Sequence, residues 1–163
     1  MKVTVPKAQQ KDIPALIQLY ESFYQFHAGL QPRYYLPARE SGVYPQSVLE
    51  SKTGELLVAE SGGVVVGFAH VEAAETLPYP SVAPHRFGTL VDLCVREGQR
   101  GKGVGGELLS AVKSWAAEKQ LEYLELMVLE NNSSAVGFYE KQGFIAKAHI
   151  MKLESLEGQH GQA

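Results

Sequence analysis

The chain has 163 residues, 45% of them hydrophobic and 20% charged, enough to build one domain around a proper core. Its 15 basic and 18 acidic residues give a formal net charge of -3, which excludes the general basic surface that nucleic acid or an anionic membrane would require. Cys94 is the only cysteine, so no intramolecular disulfide and no cysteine-based zinc cage can form.

The five histidines, His27, His70, His85, His149 and His160, are scattered, and none pairs with another at metal-ligand spacing. No metal is expected. The start of the sequence lacks the apolar run of a signal peptide, and no run is long enough to cross a bilayer. The expectation is a soluble, cytoplasmic protein.

Residues 3–5 alternate like a short strand. Asp12 then reads as an N-cap with Pro14 in the first helical turn. Ile13, Leu16, Ile17, Tyr20, Phe23, Tyr24 and His27 follow at three- and four-residue spacing, predicting an amphipathic helix that Gly29 and Pro32 end. Residues 33–42 read as loop and 44–51 as a short second helix. Segments 55–60 and 64–73, rich in β-branched residues, meet at Ser61-Gly62-Gly63 and predict a hairpin. Residues 77–84 carry three prolines and form a surface loop. Residues 87–95 form a largely apolar strand, buried on both faces.

After a glycine-rich segment, Val104, Leu108, Leu109, Val112, Trp115 and Ala116 line one face of a helix. Residues 121–129 read as the next strand. Asn132 caps a short helix that stops at Gly143, and 144–153 read as a last strand. One domain is expected over 1–154, with a polar, disordered tail over 155–163.

Arg100-Gly101-Lys102-Gly103-Val104-Gly105-Gly106 lies between a strand and a helix. Glycines permit positive φ and remove bulk, so successive N–H groups can converge on an anion, aided by the helix dipole. The segment reads as a phosphate or pyrophosphate cradle rather than a mere helix cap, with Arg100 and Lys102 as phosphate contacts. Gly101, Gly103 and Gly106 also satisfy G-x-G-x-x-G, with Glu122 at a plausible ribose distance. Only one strand–helix–strand unit follows, however, which sits badly with a dinucleotide fold. A P-loop fails because Gly103, not Ser or Thr, follows Lys102.

Val91-Asp92-Leu93-Cys94-Val95 and the run from Gln99 to Gly105 together resemble the strand and pyrophosphate loop of the GNAT acetyltransferases. Asn132-Ser133-Ser134-Ala135-Val136-Gly137-Phe138-Tyr139-Glu140-Lys141-Gln142-Gly143-Phe144 resembles that family's second motif. The resemblance implies an α/β (α+β) fold, a mixed and mostly antiparallel sheet of about six or seven strands, splayed in the middle and flanked by helices. It implies acetyl-CoA as cosubstrate. Leu93, Cys94 and Val95 would pair with the pantetheine arm, Gly101 to Gly106 (with Val104 and Gly105) would hold the pyrophosphate, and Asn132 would lie near the pantetheine. Tyr139 would sit beside the sulfur and protonate it. A primary amine, small-molecule or peptide, would attack the thioester directly, with the oxyanion held by a backbone N–H near Cys94.

Asp92 is the one charge in its apolar strand, and it either serves the site by positioning a cationic amine or pairs structurally. The segment Asp92-Leu93-Cys94-Val95 resembles the acidic strand of spermidine/spermine acetyltransferases, although Val91 stands where those relatives often carry a second acid. Cys94 reads as a small buried hydrophobe rather than a nucleophile. His27, His70, Glu72, His85 and Glu125 are candidate bases or water-relay members, each singly better explained as a satisfied surface or core residue. A non-catalytic CoA-binding or sensing module and a nucleotide-dependent oxidoreductase are the alternatives. The acceptor and the oligomeric state, a homodimer included, stay open.

Overall fold

The computed structural model describes residues 2–154, and the tail expected over 155–163 lies outside the described residues. The chain divides into two compact units, Met1–Met127 and Val128–Ala163.

In the first unit β1 (Val3–Thr4), α1 (Ile13–Leu30), α2 (Val43–Leu49), β2 (Gly54–Ser61), β3 (Val64–Glu75), β4 (Arg86–Val95), α3 (Val104–Glu118) and β5 (Leu124–Leu126) follow in chain order. The strands form one sheet in the order β1-β2-β3-β4-β5. Every pairing is antiparallel except β4 with β5, which is parallel. The hairpin turns at Gly62 and Gly63, with φ of 59° and 78°, the left-handed pair that a two-residue turn demands.

The sheet is sandwiched. Leu16, Leu19 and Tyr20 of α1 and Val48 of α2 pack on Leu56, Val58, Phe68 and Cys94. Residues of opposite parity face α3: a Cβ on Gly67 would meet Leu108, and one on Gly88 would meet Trp115. Among the described residues no helix is long and apolar enough to cross a membrane.

Three local expectations are corrected. Asp12 makes no side-chain cap onto α1; its carboxylate instead accepts from the Gln9 N–H at 2.8 Å. The helix is entered through a 3-10 turn over Gln10–Asp12, and the carboxylate satisfies the start of that turn. Gly29 lies inside the last turn of α1, and the chain leaves the helix at Gln31, just before Pro32. The strand expected over 121–129 is paired only at Leu124–Leu126.

The second unit holds α4 (Ser133–Lys141). Asn132 caps it as expected, its Oδ1 accepting from the Ala135 N–H at 3.3 Å. At the other end Gly143 takes φ 91°, and the N–H groups of Gly143 and Phe144 donate back to the Glu140 and Tyr139 carbonyls. This is a Schellman ending. Residues 144–153 form no strand, and Ile145, Ile150, Met151 and Leu153 are exposed. Alternating apolar residues become a strand only with a neighbour to share a ladder, and the described part of this unit contains none.

Candidate functional site

The centre of the first unit is the place where β4 leaves β5. Their pairing covers Gly88, Thr89 and Leu90 against Leu124, Glu125 and Leu126, and stops there. On its other edge β4 stays paired with β3 to Val95, but the register slips: Val71 faces Leu90 while His70 faces Asp92. Val91 is therefore the extra residue of a β-bulge, and a bulge bends its strand and re-aims the residues after it.

Strand alternation fixes which backbone groups face the opening. The Arg96 N–H donates to the Val66 carbonyl, so Arg96 and Cys94 turn their polar groups toward β3. Leu93 and Val95 turn theirs the other way. The Leu93, Cys94 and Val95 segment thus offers the opening two residues rather than three, and Cys94 itself gives it no N–H.

Cys94 is buried and points its Sγ at the Leu19 carbonyl, 3.7 Å away. Burial pushes its thiol up to about 11. Such a thiol is poor in thiolate at neutral pH, which removes it as a nucleophile.

Past β4 the chain makes a short 3-10 turn, Glu97–Gln99, and reaches the glycines. Gly101 and Gly103 have φ of 72° and 84°, a region side chains rarely adopt. Gly103 is the N-cap of α3, and the first backbone bond of the helix runs from the Glu107 N–H to the Gly103 carbonyl. The N–H groups of Val104, Gly105 and Gly106 precede that bond and have no helical acceptor. Beyond the adjoining residues and the helix's own backbone, a Cβ on Gly101, Gly103 or Gly106 would meet nothing within 4 Å, so the space in front of this N-terminus is open to a ligand. The arrangement fits a pyrophosphate.

The two cations of the loop are tethered. Arg100 Nε donates to the Val95 carbonyl at 3.1 Å, and its guanidinium lies 5.2 Å from the Phe26 ring centre. Lys102 Nζ donates to the Gly98 carbonyl at 2.9 Å.

On the α1/α2 face of the sheet, Asp92 lies beside a polar cluster. His70 Nε2 is 2.9 Å from Glu72 Oε1, and His70 Nδ1 is 3.5 Å from Asp92 Oδ2 and 3.1 Å from Tyr44 Oη. Burial pulls the His70 imidazole down, but the hydrogen bonds to Asp92 and Glu72 outweigh it and hold the imidazole above the ordinary histidine value. Burial also pushes the Tyr44 hydroxyl up to about 12, keeping it protonated. Nearby, Tyr24 donates to Glu40, and the buried Tyr20 hydroxyl has no hydrogen-bond partner among the described residues.

The structure thus brings His70 and Glu72, two of five candidate bases, to Asp92. The others serve elsewhere: His27 Nδ1 lies 2.9 Å from the Phe23 carbonyl, His85 pairs with Glu122, and Glu125 stands on β5. Tyr44 was not singled out by the sequence, because no local pattern marks an aromatic at the start of a short helix as a partner of a distant strand. Asn132 and Tyr139 belong to the second unit, where Tyr139 lies half-buried on α4 with its ring 5.2 Å from Phe138 and 5.7 Å from Phe144.

Residues 13–144 match the model of the acetyltransferase (GNAT) family. The chain is 28% identical over 142 residues to an uncharacterized N-acetyltransferase, YhfO, of Bacillus subtilis, covering 87% of this chain and 89% of the relative. Among solved structures, a mutant of the BH1408 protein from Bacillus halodurans superposes with a TM-score of 0.89 at 21% identity, over 94% of this chain and 99% of the other. An aminoglycoside N-acetyltransferase, AAC(6')-Iy, in complex with CoA, superposes with a TM-score of 0.71 at 15% identity, over 95% of each chain. The α/β fold with its mixed sheet is the one these structures share, and the chain belongs to the acetyltransferase (GNAT) family of N-acetyltransferases.

Proposed function

We propose that this chain transfers the acetyl group of acetyl-CoA to a primary amine by direct attack in a ternary complex. The observation that carries the reading is the pairing of an open β4 edge with a glycine-lined helix N-terminus immediately after it in sequence. A CoA-shaped molecule needs both an extended groove with backbone partners and an anion cradle. The same-fold acetyltransferase crystallised with CoA supports this choice of cosubstrate.

In this reading the pyrophosphate lies against the N–H groups of Gly101 to Gly106, assisted by Arg100 and Lys102. The pantetheine runs beside Leu93 and Val95, with Asn132 among its contacts. Asp92 holds the incoming amine as its cation before attack. The bound ammonium first gives one proton to water; the neutral amine then forms the C–N bond and gives up a second proton to water, and an N–H of Leu93 or Val95 donates to the developing oxyanion. The C–S bond breaks, and Tyr139 donates its proton to the sulfur. The high thiol pKa and burial of Cys94 support direct transfer over an acyl-enzyme.

The test is release of CoA thiol from acetyl-CoA with a panel of amines: free lysine, a linear diamine, a polyamine, an aminoglycoside and a peptide with a free N-terminus. Turnover with at least one member supports the reading. Binding of acetyl-CoA without thiol release from any member identifies a CoA-sensing module instead.

A further inference from the structure

Asp92 and Glu72 stand on adjacent strands of one sheet face, and a single imidazole lies between them. His70 is 3% exposed and is the cross-strand partner of Asp92. Its two nitrogens reach opposite ways, Nε2 toward Glu72 at 2.9 Å and Nδ1 toward Asp92 at 3.5 Å. Glu72 is itself held, its Oε2 accepting from the Thr53 hydroxyl at 3.0 Å. Nδ1 has two oxygens in reach, the Tyr44 hydroxyl at 3.1 Å and Asp92 Oδ2 at 3.5 Å, and an imidazole that carries a proton on each nitrogen to meet both carboxylates is the imidazolium form. Two carboxylates and one imidazolium leave the trio with a single net negative charge. That charge suits one ammonium group.

We propose that His70 is the positioning residue for the acceptor: clamped by Glu72 on β3, it fixes the Asp92 carboxylate just past the Val91 bulge so that a cationic amine meets a preset anion. The proposal rests on the reading of Asp92 as the acceptor carboxylate. Without the bulge Asp92 would not share a face with His70, because one residue of slip reverses every side chain that follows. Glu72 anchors from the outside, its side chain 30% exposed, while Asp92 at 15% is the inner member. The other polar group facing the imidazole is the Tyr44 hydroxyl from α2, whose ring packs 5.3 Å from that of Tyr20 on α1. From β2 the facing residue is the apolar Leu56. The Tyr44 hydroxyl shares Nδ1 with Asp92, but burial keeps it protonated, so the two carboxylates are the anions that face the imidazole.

The experiment uses the full chain, acetyl-CoA and the best amine of the panel, with His70→Ala, His70→Gln, Glu72→Gln and Asp92→Asn. His70→Ala should raise the acceptor KM about tenfold or more, the scale on which loss of an orienting partner acts, and leave the KM for acetyl-CoA within about twofold. Glutamine keeps a donor toward Asp92, so His70→Gln should recover part of the loss. The His70 ring resonances followed by NMR should titrate above the ordinary value of about 6.5, and their midpoint should fall in Asp92→Asn and in Glu72→Gln. An unmoved His70 titration in Asp92→Asn overturns the clamp. Wild-type acceptor KM in both His70 variants, while Asp92→Asn raises it, overturns the positioning role alone. A wild-type acceptor KM in Asp92→Asn overturns the reading of Asp92, and the proposal falls with it.

Discussion

His70 and Asp92 are partners across one rung of the β3–β4 ladder, with Nδ1 and Oδ2 3.5 Å apart, only because Val91 is bulged out of register between Leu90 and Asp92. The same slip leaves Leu93 and Val95, and not Cys94, turned toward the opening of the sheet.

A buried imidazole held above its ordinary pKa ties stability to pH. Its contribution is complete below the unfolded value of about 6.5 and is lost as pH rises through the higher folded value. Denaturant unfolding of wild type and His70→Gln at several pH values should show the stability gap widest near about pH 6 and shrinking toward about pH 9. A gap that grows with pH would mean the imidazole is folded in neutral.

Cys94 should be inert. With a thiol pushed up to about 11 and 6% exposure, it should resist a thiol reagent at neutral pH until the protein unfolds. Cys94→Ala should keep kcat within about twofold and cost on the order of 1 kcal/mol through lost packing. Loss of turnover in a folded Cys94→Ala would restore an acyl-enzyme.

At Gly67 strands β3 and β4 and helix α3 crowd together. An added Cβ would lie 2.7 Å from the Cys94 carbonyl oxygen and 3.2 Å from Leu108 Cδ1. Backbone cannot swing aside, so Gly67→Ala should cost about 1–3 kcal/mol. In a chain of this size that lowers Tm by roughly 2–4 °C per kcal/mol, which a thermal melt reads directly. An unchanged Tm would show that the sheet gives way there.

What could be read from the sequence was what neighbouring residues decide among themselves. Gly62 and Gly63 announce the hairpin, Asn132 and Gly143 bracket α4, and the stripe from Val104 to Ala116 gives α3. Features set by distant partners were hidden. His70 was one candidate base among five until register placed it opposite Asp92, and Tyr44 carried no mark at all. The strand expected over 144–153 failed for the same reason: apolar residues in a run do not supply a neighbour to pair with. In the glycine loop the backbone conformation was legible, because positive φ at Gly101 and Gly103 is a local need.

Tyr139→Phe keeps the ring and its contacts with Phe138 and Phe144, so stability and acetyl-CoA binding should change little. General acid catalysis contributes about 10²–10⁴-fold, and thiolate is a fair leaving group, so kcat should fall by a factor within or somewhat below that range. Steady-state kinetics at saturating acetyl-CoA measure it. Wild-type kcat without a pre-steady-state burst would remove Tyr139 from the mechanism.

The central claim is that the start of α3 holds the pyrophosphate of acetyl-CoA, and calorimetric titration of acetyl-CoA into three proteins tests it most directly. Gly103→Val adds a branched side chain at φ 84° in the open space of the cradle. Gly106→Ala adds one methyl at a position inside the helix, where alanine should stabilise by up to about 1 kcal/mol. Wild type should bind acetyl-CoA. Gly103→Val should bind at least about tenfold more weakly, and Gly106→Ala should bind more weakly while melting no lower, because added Cβ atoms hold the phosphates off the backbone N–H groups. No binding by wild type, or equal affinity in all three folded proteins, would contradict it.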